Sequence, residues 1–225
     1  MVLHFATRHG ELETERLADD SVLNLNTDSA VTVRFSRKER VVELTAGEAE
    51  LEVTHDSERS LRVLAGPAEI VDLGTRFDVR LERDSTLVTV VEGRVDVGLR
   101  PTSARRGGPA VRDRAGFQTV ELGANQQVTI AEGGWPATPL AVDAQRSTAW
   151  LHRQISFDHE PLGRVAREFN RYSAKPIEIT TPALRNLEIS GVFATDDIDA
   201  FIAFLRSLKG VQVEVTATRI RVSQN

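Results

Sequence analysis

The sequence predicts a mainly β chain with an α/β tail: an all-β N-terminal domain over residues 1–140, a linker over 141–153 and a small βαβ-βαβ domain over 154–225. Three observations carry this division. Up to about Ile130 the apolar residues recur with a period of two; from Ile155 onward helical spacing appears; and the helical pattern occurs twice at a constant offset.

In the first part, Val31, Val33 and Phe35 alternate with Thr32 and Arg34. Phe77, Val79 and Leu81 alternate with Asp78 and Arg80, and Val95 and Val97 with Arg94 and Asp96. Each reads as a half-buried strand with one wet face. Turn residues separate the strands at Thr27-Asp28-Ser29, Ala46-Gly47, Gly66-Pro67, Arg83-Asp84-Ser85 and Glu92-Gly93. About ten to twelve short strands follow from this spacing, arranged as a sandwich, a roll or a solenoid-like stack. Arg100 to Gly116 is rich in Gly, Pro and Arg without periodicity, and is expected to be a mobile loop, centred on about 101–116. Gly133-Gly134, Trp135-Pro136 and Pro139 announce the linker.

In the last third, Leu162, Val165, Ala166, Phe169 and Tyr172 fall on one helical face. Ile198, Phe201, Ile202, Leu205 and Leu208 repeat that pattern 36 positions later (198 − 162 = 36). The same offset maps Phe157 onto Phe193, Ile177 onto Val213 and Ile179 onto Val215, so each copy reads strand, helix, strand. Phe157/Phe193, Glu178/Glu214 and Thr180/Thr216 are identities between the copies. Helices are expected at roughly 161–173 and 197–209: Pro161 precedes the first, Thr195-Asp196-Asp197 supply cap oxygens and negative charge to the second, and Gly210 closes it.

Composition narrows the function. The 225 residues suit one or two domains and carry a net charge of −5, which gives no electrostatic reason to expect nucleic acid. No apolar run approaches the roughly 18 residues needed to span a bilayer. The absence of cysteine excludes disulfides and thiolate chemistry. His55-Asp56 places a carboxylate beside an imidazole, but adjacent strand residues point to opposite faces. His159-Glu160 starts like a helical zinc motif, yet Gly163 stands where the second histidine is required. His4, His9 and His152 share no metal-binding spacing. No phosphate-binding loop, nucleophile elbow or dinucleotide fingerprint occurs. No catalytic residue, cofactor or metal is therefore expected, and the chain reads as a non-enzyme.

Several ordered motifs resemble a known family. Gly47-Glu48-Ala49-Glu50-Leu51-Glu52-Val53-Thr54-His55-Asp56, Leu73-Gly74-Thr75-Arg76-Phe77-Asp78-Val79 and Val90-Val91-Glu92-Gly93-Arg94-Val95-Asp96-Val97 look like the FecR-like (ferric-citrate-sensor type) sigma-factor regulators. Leu17-Ala18-Asp19-Asp20-Ser21 with Leu25-Asn26 fits the family's leading strand pair, and Trp150, Ile155, Phe157 and Pro161-Leu162 fit its entry into the C-terminal part. Asp20, Asn125 and Arg153 stand where the family pattern has glycine; Asp and Asn tolerate the left-handed conformation, so those two turns should survive.

The resemblance implies a periplasmic region of a single-pass inner-membrane anti-sigma factor, with the membrane helix and the sigma-factor-binding segment outside this chain. It implies that the C-terminal repeat is similar to the secretin and TonB short N-terminal (STN) domain. The implied partner is the periplasmic signalling domain of an outer-membrane TonB-dependent transducer, of the kind that imports ferric siderophores. Strand edges are the expected contact. Leu187, Ile189, Arg219, Ile220, Arg221 and Val222 are the candidate partner-binding residues, because their short strands lie near the ends of the repeat and are expected to be edges, unlike Ile177 or Val213. The alternative is a cell-wall or glycan-binding or -hydrolysing periplasmic protein, with Trp135 or Trp150 as a sugar platform.

Overall fold

Period-two alternation and helical stripes each require a partner surface, and a computed structural model shows where each finds it. The structure describes residues 2–72, 74–100, 119–131 and 138–224. Leu73, Trp135 and residues 101–116, where the mobile loop is expected, lie outside the described residues. The chain divides into two compact units: one takes in residues 1–7, 13–25 and 29–145, the other 8–12, 26–28 and 146–225.

The first unit contains β1 (Val2–Ala6), β2 (Glu13–Arg16), β3 (Val22–Leu25), β4 (Ala30–Phe35), β5 (Arg40–Ala46), β6 (Glu48–Glu52) and β7 (Leu61–Ala65). It continues with β8 (Ala68–Asp72), β9 (Arg76–Leu81), β10 (Ser85–Glu92), β11 (Arg94–Leu99), β12 (Thr119–Gly123), β13 (Gln126–Ala131) and β14 (Leu140–Ala141). This exceeds the expected ten to twelve strands, because segments such as Glu13–Arg16 pair without any apolar residue to announce them. The strands form two seven-stranded sheets, ordered β1-β4-β5-β7-β8-β11-β12 and β14-β13-β10-β9-β6-β3-β2.

Hairpins keep the chain within a sheet: β4-β5 and β7-β8 pair in the first and β2-β3 and β9-β10 in the second, while β11 and β12, and β13 and β14, are antiparallel neighbours. Because β6 crosses to the opposite sheet, β5 and β7 meet in parallel. Val31, Val42, Val63, Ile70 and Val97 of the first sheet share one apolar cluster with Leu23, Leu51, Phe77, Val79 and Ile130 of the second. Of the three architectures compatible with the sequence, this is the sandwich. Each such fully buried side chain contributes about 1.5–3 kcal/mol relative to leaving it in water.

The expected wet face of β9 is corrected. Asp78 is buried, and so are its cross-strand neighbours Glu50 and Thr89. They belong to a polar ladder running across the second sheet. Thr14 donates to Asn24 at 2.7 Å, Asn24 donates to Glu50 at 2.7 Å, and Gln127 donates to Thr89 at 2.7 Å. Arg76 pairs with the other Glu50 oxygen. Polar residues at alternating positions predict water only when nothing lateral satisfies them; here the neighbouring strand does.

Between the expected domains lie the short helix α1 (Ala144–Ser147) and a 3-10 turn over Ala149–His152, which ends on Arg153 in the left-handed conformation. The second unit then runs β15 (Gln154–Pro161), α2 (Leu162–Phe169), β16 (Ile177–Ile179), β17 (Glu188–Ala194), α3 (Ile198–Ser207), β18 (Val211–Val215) and β19 (Ile220–Gln224). The helices begin 36 residues apart, at Leu162 and Ile198. Asp197 caps α3 by accepting from the Ala200 amide at 2.9 Å.

The strand–helix–strand order of each copy is present, but its two strands enter different sheets. β15 pairs with β17 in one sheet; β16 and β18 flank β19 in another. Neither copy is therefore a crossover within a single sheet. The pairing obeys a local two-fold relation: Ile155 faces Phe193, and Phe157 faces Gly191, which are the same pair exchanged by the 36-residue offset.

Both helical stripes turn inward. Leu162, Val165, Ala166 and Phe169 are buried with Phe201, Ile202 and Leu205 in one cluster that also takes in Ile155, Phe157, Ile189, Ile220 and Val222. Phe169 stacks on Phe201 at 4.0 Å between ring centroids, and Phe193 meets both rings edge-on at 5.9 and 5.1 Å. Such ring pairs contribute about 0.5–1.5 kcal/mol each beyond their burial.

Candidate docking site

In the first unit the sequence motifs converge on turns. A side chain at Gly74 would sit 2.9 Å from the His55 Cβ, and one at Gly93 would sit 2.6 Å from the Thr75 Cγ2. The three motifs thus pack glycine against side chain at one place, which is why the glycines are required. Asp72 accepts from the Gly74 amide at 3.1 Å and from the Thr75 hydroxyl at 2.5 Å.

Asp56 accepts from the backbone amides of Glu58 and Arg59 and pairs with the Arg59 guanidinium at 2.8 Å, a turn-closing role. The hydrogen bond to Arg59 holds its carboxyl below the usual carboxylate range. Arg40, 1 % exposed, donates to Asp19 at 2.9 Å and to the carbonyls of Thr54 and Arg59. Asp19 in turn accepts from Ser21, whose hydroxyl accepts from the Thr54 amide. These contacts build the fold. Glu50 and Asp78 face each other across β6 and β9, as acid–base pairs do, but Glu50 is already committed to Asn24 and Arg76. Among the described residues no group of three or more His, Asp or Glu side chains is placed to hold a metal. Trp150 is 5 % exposed, so it offers no stacking face to a sugar.

The second unit offers strand edges instead. The candidate residues separate on this point. Leu187 precedes β17, is half-buried, and its carbonyl accepts from the Leu162 amide at 2.7 Å. Ile189 lies in β17, an outer strand of its two-stranded sheet, with its side chain in the core. Arg219 to Val222 do not form an edge: β19 is the middle strand, bonded to β16 on one side and β18 on the other. Ile220 and Val222 are fully buried and cannot touch a partner. The outer strands are β16 and β18, which carry Ile177 and Val213, the two residues expected to be interior. Sequence position within a repeat does not report position within a sheet, because the last strand inserts between two earlier ones.

The repeat identities explain that insertion. Glu178 of β16 pairs with Arg219 at 3.1 Å, and its counterpart Glu214 of β18 lies 3.8 Å from Arg221. Thr180 donates its hydroxyl to the Val222 carbonyl at 3.1 Å, and its counterpart Thr216 donates to the Arg219 carbonyl at 2.9 Å. Both copies therefore present the same two side chains to one strand. Phe157 and Phe193, the third identity, lie in the ring cluster at 6.1 Å.

Two small flanking segments complete this unit. Asn26 donates to the Tyr172 hydroxyl at 2.8 Å, Thr27 donates to the Arg171 carbonyl at 2.8 Å, and His9 bridges Asp28 at 2.7 Å and the Ser173 carbonyl at 3.1 Å.

The chain thus combines a β-sandwich with motif-built turns and a two-copy α/β unit whose three-stranded sheet has β16 and β18 as outer strands. Comparison with known proteins gives this architecture a family. Residues 4–96 match the family model described as FecR protein, and residues 154–222 match the one described as FecR, C-terminal. The chain belongs to the FecR family. No curated protein matches the chain significantly. Two crystal structures, at 2.50 and 1.65 Å, of a protein from Parabacteroides distasonis ATCC 8503 titled a "putative anti-sigma factor" share the fold. The first has a TM-score of 0.78 at 22 % identity, covering 100 % of both chains; the second 0.79 at 22 %, covering 99 % of both.

Proposed function

We propose that this chain is the periplasmic signalling region of a membrane-anchored sigma-factor regulator. Its second unit receives the signalling domain of an outer-membrane TonB-dependent transducer, of the ferric-siderophore type, and the event is relayed to a cytoplasmic sigma factor through a segment outside this chain. Membership of the FecR family supports the regulatory role, and the fold shared with a protein titled as an anti-sigma factor agrees with it.

One observation carries the docking role: a three-stranded sheet in which β16 and β18 are the outer strands, backed by a dense apolar core. An outer strand accepts an incoming strand through main-chain hydrogen bonds, and a rigid core behind it keeps the entropy cost of docking low. None of the described helices is long and apolar enough to cross a membrane. The similarity of the C-terminal unit to an STN domain belongs to the same reading.

Calorimetric titration of the chain with the signalling domains of the source organism's TonB-dependent transducers tests it. One domain is expected to bind with micromolar or tighter affinity while the others do not. In cells, deleting the second unit is expected to uncouple sigma-dependent transcription from the external signal. Failure of every signalling domain to bind rejects the reading.

A further inference from the structure

Two grooves flank the outer strands of the three-stranded sheet, and the helix residue that meets each edge differs between them. The first is lined by Gly163, Asn170, Ile177 and Ile179; the second by Arg206, Val211, Val213 and Ser223. Asn170 and Arg206 are counterparts, as are Ile177 and Val213.

Which main-chain groups face outward follows from the ladder. The Ile220 amide donates to Pro176 at 2.9 Å and the Thr180 amide donates to Val222 at 2.9 Å, so in β16 the groups of Ile177 and Ile179 point away from β19. The Thr216 amide donates to Arg219 at 2.9 Å, which sets the alternation in β18 and turns Val213 and Val215 outward.

The two edges are then treated differently by their own helices. The Asn170 side chain donates to the Ile177 carbonyl at 3.1 Å and accepts from the Ile177 amide at 2.7 Å. Those are the two bonds a neighbouring strand would make, so the amide group closes that edge from within. Arg206 has only donors; it reaches the Val213 carbonyl at 3.3 Å and offers nothing to the Val213 amide.

We propose that β18, and not β16, is the strand that pairs with the partner, and that the incoming extended segment places a carboxylate side chain against Arg206. This rests on the docking role proposed above and says where it is exercised. The carboxylate follows from charge. Arg206 is exposed, its bond to Val213 uses one of its nitrogens, and the guanidinium fork matches a carboxylate in two-bond geometry. Glu214, the acidic residue of the same groove, lies toward Arg221 at 3.8 Å, while Val215, 42 % exposed, offers an apolar contact beside the outward main chain. Main-chain bonds supply affinity; Arg206 and Val215 fix the register.

The test compares matched proline substitutions in the whole chain, titrated with the transducer signalling domain that binds the wild type. Val215→Pro removes an outward donor from β18 and is expected to weaken binding at least tenfold. Ile179→Pro does the same to β16 and should change it less than twofold. Arg206→Glu, on an exposed helix face that does not endanger folding, should weaken binding at least tenfold, and Arg206→Lys less. Amide exchange on the wild-type complex provides a readout without mutation: Val213 and Val215 should slow at least tenfold on binding, and Ile179 should not. Wild-type affinity for both Val215→Pro and Arg206→Glu, or protection at Ile179 instead, overturns the edge assignment while leaving the relay reading intact. A wild-type dimer that Val215→Pro dissociates overturns it in favour of self-pairing. No binding by wild type to any signalling domain removes the relay reading and the edge assignment together.

Discussion

His9 illustrates how much a single side chain can commit to. Its two ring nitrogens face a carboxylate, Asp28, and a carbonyl, Ser173, and both of those groups only accept. A neutral imidazole has one N–H, so only the imidazolium satisfies both. The Asp28 hydrogen bond accordingly raises the His9 pKa above 6.5. A raised folded-state pKa means that the stabilisation is fully present below about 6.5, the unfolded value, and is lost as pH rises through the folded value. The melting temperatures of wild type and His9→Gln should therefore differ most below about pH 6.5 and converge as pH rises through the raised folded-state value, a trend that thermal melts across a pH series will show; a constant gap would argue that His9 acts by packing alone. The same scale shows what a residue-by-residue reading can anticipate. Asp20 and Asn125, read as glycine substitutes, have φ of 68° and 59°, and Arg153 has 54°. Asp28 and His159, at 52° each, were not read as glycine substitutes; Asp28 lies in the expected turn Thr27-Asp28-Ser29, and His159 in the β15 bulge, which only the pairing with β17 reveals.

At the scale of elements, the helices were legible because their stripes are local: five apolar positions at helical spacing leave little choice of face. Phe169 lies at the centre of the ring cluster, and Phe169→Ala should cost about 3–5 kcal/mol by removing a fully buried ring. Urea titration should show a lower midpoint for the transition of the second unit; an unchanged midpoint would mean that the two helices do not share a core. Asn170 makes the complementary point about polar groups. Asn170→Ala frees the amide and carbonyl of Ile177 at a half-buried position, at a cost of about 1–2 kcal/mol. It should also raise amide exchange at Ile177 while leaving Val213 unchanged, which separates edge closure from general loosening. Edge identity was not legible, since strand order within a sheet is set by residues far apart in sequence. The ladder of half-buried Asn24 with buried Glu50, Asp78 and Thr89 was hidden for a related reason: each member reads as solvent-facing until its cross-strand neighbours are known.

At the scale of the whole molecule, each of the two units has its own apolar cluster. Truncation after Ala217 removes β19 and with it every hydrogen bond that joins β16 to β18. The expected result is loss of the second unit's cooperative transition with the sandwich transition retained, read by denaturant unfolding of the truncated chain; two surviving transitions would show that the helices and β15-β17 suffice. The central position of β19 also orders events in time. β15, β17 and both helices can assemble as soon as Ser207 is available, from contacts between neighbouring segments. The strand β16 must wait across some forty residues for β19, a loop whose closure is costly until its last member arrives. β18 joins the same strand through a short hairpin. Both outer strands of the three-stranded sheet therefore depend on one strand, β19, for their place, and neither edge exists before it is bonded.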